Sequence, residues 1–323
     1  MATTDRSPAS PATLAEALAG DVLVLDGGMS NQLEAAGYDL SDALWSARLL
    51  ADAPEAVAAA HRAYYEAGAQ VAITASYQAS FEGYAAVGIG RDEAERLLRR
   101  SVELARTAAR EAGAGVGASA GAAAGGGSGR WVAASVGPYG AVLADGSEYR
   151  GRYGLSVAEL ERFHRPRVEA LASAGPDVLA LETVPDLDEA EALLRAVAGL
   201  DVPVWLSYSV AGGRTRAGQS LEQAFGLAAG VDQVVAVGVN CCAPEEAAEA
   251  VELAASVTGK PVVVYPNSGE GWDEEARAWA GPSTFDAERV GEWTRAGARL
   301  VGGCCRVGAE QIAELTGTLR SRL

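Results

Sequence analysis

Eight short apolar runs, each ending abruptly in polar residues or glycine and followed by a stretch with helical spacing, set the pattern of this chain. They are 22–26 (VLVLD), 70–75 (QVAITA), 131–136 (WVAASV), 177–182 (DVLALE), 204–208 (VWLSY), 234–240 (VVAVGVN), 261–266 (PVVVYP) and 299–302 (RLVG). Stretches rich in Ala, Glu, Leu and Arg at 54–66, 92–111, 157–174, 187–198, 244–257, 285–295 and 309–322 carry the spacing of helices. Near-continuous apolar strands joined by helical crossovers imply a parallel sheet covered by helices. Eight such units in 323 residues predict a closed (β/α)8 TIM barrel, a single α/β domain over 13–323. A doubly wound sheet is the alternative.

Two segments fall outside that pattern. The Pro/Ser-rich residues 1–12 read as a disordered N-terminal tail. The low-complexity stretch 113–129 (GAGVGASAGAAAGGGSG) reads as a flexible surface insertion, because its near miss to a dinucleotide-binding fingerprint follows a helical pattern instead of a strand. A formal net charge of −17 disfavours nucleic acid and anionic membrane surfaces as partners and points to small-molecule chemistry. With no apolar run long enough for a signal peptide or a membrane span, the expected location is the cytoplasm.

In a barrel, the residues just past the C-terminal ends of the strands ring one mouth, where barrel enzymes place their chemistry. Reading the runs this way brings Asp26, Gly27, Thr74, Ser76, Tyr77, Gln78, Glu182, Asn240 and Asn267 to one opening, together with both cysteine pairs, Cys241-Cys242 and Cys304-Cys305. All four cysteines of the chain lie in those pairs. In a reducing compartment they suit metal or redox chemistry better than a disulfide framework. Three thiolates from two strand ends would make an open catalytic zinc site with its fourth position left for substrate. The alternatives are a redox pair, which would join Cys304 to Cys305, and inert packing. Gly302-Gly303 would let the backbone turn tightly before Cys304. His61 and His164 fall in helical stretches and read as ordinary helix residues.

The chain resembles the homocysteine S-methyltransferases from Leu25 to about Leu315. The marks are LDGG at 25–28, LWSARLL at 44–50, TASYQAS at 74–80, VGPYGA at 136–141, LETVPD at 181–186, VGVNC at 237–241, YPNSGE at 265–270 and GGCC at 302–305. The resemblance implies Zn2+ held by Cys241, Cys304 and Cys305, and leaves Cys242 as packing or as a neighbour of the ligands. It further implies that Asp26, the backbone around Gly27, and Glu182 recognise the amino end of homocysteine, with Thr74, Ser76 and Gln78 as further polar contacts.

A free thiol is mostly protonated at neutral pH, and coordination to zinc removes that proton without a general base. The implied reaction is attack of the homocysteine sulfur on a methyl attached to a cationic leaving group, giving methionine. Aromatic faces hold such cations, which makes Trp45 and Tyr77 candidates for the donor side, with Asn240 and Asn267 as supports of metal or donor. Once the barrel is built, 323 residues leave no expected room for a cobalamin or folate module, and the donor is expected to be a small diffusible molecule. The motifs favour S-methylmethionine or S-adenosylmethionine over betaine. A selenocysteine methyltransferase, or a non-catalytic zinc- or thiol-binding protein, would show the same ligands.

Overall fold

A computed structural model of the chain describes residues 12–41, 44–115, 129–273 and 278–322. The eight apolar runs form eight parallel strands: β1 (Leu23–Val24), β2 (Val71–Ile73), β3 (Trp131–Val136), β4 (Val178–Val184), β5 (Val204–Tyr208), β6 (Val234–Asn240), β7 (Val262–Tyr265) and β8 (Ala298–Val301). From β2 onward each strand pairs with the next in chain order, and β8 returns to β1 in parallel register, Leu23 opposite Leu300. The remaining gap, between β1 and β2, is bridged at Leu25 and Val71, where Asp26 N–H donates to the Val71 carbonyl at 3.0 Å. The sheet is therefore a barrel and not the doubly wound alternative.

A covering helix follows each strand, in some crossovers after shorter helices: α1 (Pro54–Glu66), α2 (Arg91–Gly115), α3 (Val157–Ser173), α4 (Leu187–Val197), α5 (Leu221–Gly226), α6 (Pro244–Thr258), α7 (Val290–Ala296) and α8 (Ala309–Ser321). Their starts are encoded locally. Pro54 and Pro244 open α1 and α6, where a missing N–H costs nothing. Ser156 and Glu159 form a capping box on α3, and the Asp186 side chain caps α4. The expected helix at 285–295 is split, since Asp286 caps a 3-10 turn, Ala287–Arg289, that runs into α7.

The period of two along each strand sorts the core. One face, including Val132, Ala134, Leu179, Leu181, Val237 and Val239, packs under the helices. The other fills the barrel interior with Leu23, Leu25, Val71, Trp131, Ala133, Val178, Ala180, Trp205, Ala236, Val263 and Leu300. A short helix, Leu14–Leu18, inserts Leu14 and Leu18 into this interior cluster, and Trp131 Nε1 donates to the Ala12 carbonyl at 3.3 Å. The expected tail up to residue 11 and most of the expected insertion, 116–128, lie outside the described residues; 113–115 belong to the end of α2. Among the described residues no helix is long and apolar enough to cross a membrane.

Candidate active site at the barrel mouth

Continuing the interior alternation by one more step, past Ala133, Ala180 and Val263, places Ser135, Glu182 and Tyr265 at the top of the barrel, where all three line a cleft. Glu182 is 5% exposed. Its carboxylate accepts from the Ser135 hydroxyl and, at 2.9 Å, from the Tyr265 hydroxyl. Burial raises its pKa to about 7 against the pull of those two hydrogen bonds. Asp26, 1% exposed, accepts from Ile73 N–H at 2.8 Å through one oxygen, and its other oxygen has no partner among the described residues. Burial holds the Asp26 carboxyl well above the usual range; the Ile73 hydrogen bond opposes that and the charge of Glu182 adds to it. Two buried carboxyls that raise each other's cost of ionisation form a site that a cation would relieve.

The sulfur cluster stands at the same mouth. Cys241 directly follows β6 with φ at +48°, a left-handed value that a non-glycine residue keeps only under constraint. Cys304 and Cys305 follow β8. The three Sγ atoms all lie within 4.8 Å of one another. The sulfurs of Cys241 and Cys304 are close enough to be joined as a disulfide, with Cα atoms 5.7 Å apart, whereas Cys242 and Cys305 are free thiols. The redox pairing expected within Cys304-Cys305 is thus not the close one. Tetrahedral coordination at Zn–S bonds of about 2.3 Å sets sulfurs about 3.8 Å apart, so the reduced cluster fits a soft or borderline metal ion. Cys242 is fully buried in the core under the helices. Burial pushes its thiol up to about 12 and that of Cys305 up to about 11, so without a metal both are neutral.

The loop after β7 fixes the two consecutive cysteines. Cys304 N–H donates to the Pro266 carbonyl at 2.7 Å, Cys305 N–H to Asn267 Oδ1 at 3.2 Å, and Ser268 N–H to the Cys305 carbonyl at 2.9 Å. Arg306 then clamps Glu270 through two hydrogen bonds of 2.9 and 3.1 Å. The glycines before Cys304 act differently from expectation. Neither has a positive φ; the left-handed residue of this turn is Arg306, at +65°. A Cβ on Gly302 would strike Leu25 and the Asp26 carbonyl, where the end of β1 touches the loop after β8, and one on Gly303 would strike the Val307 side chain, where that loop folds back on itself.

Of the residues expected at the mouth, Gly27, Trp45, Thr74, Tyr77, Glu182, Cys241, Cys304 and Cys305 line the cleft. Others face elsewhere. Gln78 donates to the Ala141 carbonyl at 3.1 Å and Ser76 to the Ser135 carbonyl at 2.8 Å, both away from the opening. Asn240 is a buried strut: its Oδ1 accepts from Thr183 N–H and Ser207 Oγ, each at 2.8 Å, and its amide donates to Thr183 Oγ1. His61 and His164 are buried in α1 and α3; both nitrogens of His61 lack partners among the described residues, and His164 Nε2 bonds Glu189 at 2.9 Å. Sequence reasoning missed Ser135, Glu148, Tyr149 and Tyr265. The alternation could have found Ser135 and Tyr265. Nothing in the periodicity points to Glu148 and Tyr149, which sit on a loop beyond β3.

Residues 23–319, nearly the whole barrel, match the homocysteine S-methyltransferase family. The chain belongs to that family. It is 46% identical to the homocysteine S-methyltransferase of Escherichia coli, over 91% of this chain and 94% of that one. To homocysteine S-methyltransferase 4 of Zea mays it is 45% identical, over 94% and 90%. Crystal structures of the homocysteine methyltransferase MmuM from Escherichia coli in a metallated and an oxidized form each superpose with a TM-score of 0.80 at 45% identity. They cover 92% and 94% of this chain, respectively, and 96% of theirs. As a homocysteine S-methyltransferase family member, the chain carries its three-sulfur cluster and Glu182 in one cleft, with Asp26 buried beside Gly27 of its lining, at the end of the barrel where barrel enzymes place their chemistry.

Proposed function

We propose that this chain transfers a methyl group from S-methylmethionine to the thiol of homocysteine, forming methionine, with zinc held by Cys241, Cys304 and Cys305. The observation that carries the reading is the three-sulfur cluster beside Asp26 and Glu182, two buried carboxyls without a cationic partner in the hydrogen bonds described. When bound by these thiolates, zinc would supply a homocysteine thiolate at neutral pH. Asp26 and Glu182 take the homocysteine ammonium, which satisfies the lone Asp26 oxygen and offsets the burial cost of both charges. Tyr77 and Trp45 offer aromatic faces to the sulfonium. The methyl–sulfur bond of the donor breaks as the new bond to the homocysteine sulfur forms; the electron pair stays on the donor, which leaves as a neutral thioether, and the thiol proton goes to solvent. Two molecules of methionine result. Three thiolates remain available to a metal only in a reducing compartment, which supports a cytoplasmic location.

Methionine formation from homocysteine and S-methylmethionine, with and without a chelator, tests the reading. Product that disappears with the metal and returns with Zn2+ supports it. Zinc-loaded protein that makes methionine only from S-adenosylmethionine changes the donor. No product from either donor overturns the enzyme reading.

A further inference from the structure

Besides Glu182, the cleft is lined by a second buried carboxyl that the reading above does not use. Glu148 sits in a 3-10 turn, Ser147–Tyr149, on the loop between β3 and α3. The loop is held at both ends: Ala144 and Arg152 are left-handed at φ +52° and +54°, and Arg152 N–H donates to Asp186 at 2.8 Å. Gly140 lies so close to the Glu148 backbone that a Cβ there would overlap it. Glu148 lines the cleft at 5% exposure, and its Oε2 has no partner among the described residues. Burial raises its pKa, and the charged neighbour acting on it is Asp145, also negative. Beside it, Tyr149 hydrogen-bonds Cys305, and the charge of Glu148 is felt at both Tyr77 and Cys305.

We propose that Glu148 recognises the α-ammonium of the methyl donor and so makes the enzyme specific for sulfonium donors that are themselves amino acids. The inference rests on the reading above. A buried carboxylate oxygen without a partner calls for a hydrogen-bond donor. A sulfonium has no N–H or O–H and is satisfied by aromatic faces, whereas an ammonium has three N–H groups. Asp26 and Glu182 are already committed to the ammonium of homocysteine, so a further carboxyl lining the cleft matches a second amino acid. Betaine and simple sulfonium acids lack the group that Glu148 would bind.

The test compares S-methylmethionine with dimethylsulfoniopropionate, a sulfonium donor without an amino group, on the zinc-loaded wild type, Glu148→Gln and Glu148→Asp. The expected result for Glu148→Gln is a fall in kcat/KM for S-methylmethionine of roughly ten- to a hundredfold. The value for dimethylsulfoniopropionate and the KM for homocysteine should stay within about twofold, the size of an indirect effect. Glu148→Asp should recover part of the loss. Calorimetric titration of S-methylmethionine into each protein reads the same contact without turnover and separates this inference from the proposed reaction. A wild type that binds S-methylmethionine but makes no methionine would sink the reaction alone. Equal losses for both donors, a rise in the homocysteine KM instead, or unchanged S-methylmethionine binding in Glu148→Gln would overturn the role of Glu148.

Discussion

A side chain at this mouth works through what its neighbours leave unsatisfied. In the proposed zinc site each of the three cluster cysteines is one ligand of three, so Cys304→Ser or Cys305→Ser should reduce bound zinc far below one per chain and lower methyl transfer by roughly a hundredfold or more, read by metal analysis and methionine assay. Cys242→Ala should keep its zinc, because that side chain packs under the helices; its cost is stability, about 1 kcal/mol in denaturant unfolding. Glu182 makes a prediction in pH. Its folded pKa of about 7 lies above its ordinary value, so the ionised form is disfavoured in the fold. The contribution of Glu182 to the stability of the substrate-free protein should therefore fall as pH rises from about 4.5 to about 7, by an order of 3 kcal/mol, and level off above. Thermal melts of Glu182→Gln against wild type at pH 5 and pH 8 check this: the variant should gain at pH 8 relative to pH 5, and an equal difference at both pH values would remove the claim. The strand-end argument found Glu182 because alternation along β4 dictates which way it points. It misplaced Gln78 and Ser76, because past the last ladder residue the side-chain direction depends on loop hydrogen bonds that no periodicity records.

At the scale of elements, the eight strands and most of the helices were legible because burial on both faces leaves unbroken apolar runs and because caps such as Asp186 and Ser156 are local. What escaped were the pieces whose shape comes from contact with other loops. The helices Met29–Ala35 and Ser46–Asp52, and the hairpins pairing Val210–Ala211 with Arg214–Thr215 and Gly271–Asp273 with Ala278–Ala280, are too short to show a period. The loop after β7 shows why this matters. Asn267 was expected to support metal or donor, and its contact is with the backbone N–H of Cys305. Losing that bond loosens the cysteine turn without altering any of the three proposed ligands. Asn267→Ala should weaken zinc binding about tenfold in a competition titration with a chromogenic chelator, while the melting temperature of the zinc-free protein changes little. An unchanged affinity would mean that the Arg306–Glu270 clamp and the backbone bonds to Pro266 and Ser268 position the turn without Asn267.

The whole molecule divides its labour between two ends of one barrel. The mouth carries orphaned carboxyl oxygens on Asp26 and Glu148, left-handed residues at Trp45, Thr183 and Cys241, and the sulfur cluster, each a cost that folding alone would not select. The interior and the opposite end are apolar, and there the Leu14–Leu18 helix joins the interior cluster through two side chains that are each 1% exposed. Stability and chemistry should therefore separate under mutation. Leu18→Ala leaves a cavity against the barrel interior and should cost about 2–5 kcal/mol in denaturant unfolding. The KM values for homocysteine and S-methylmethionine should stay at their wild-type levels below the melting transition, since neither Leu14 nor Leu18 lines the cleft. A KM that moves together with the lost stability would show that the barrel transmits strain from its base to its mouth, and the two ends would then have to be treated as one mechanical unit.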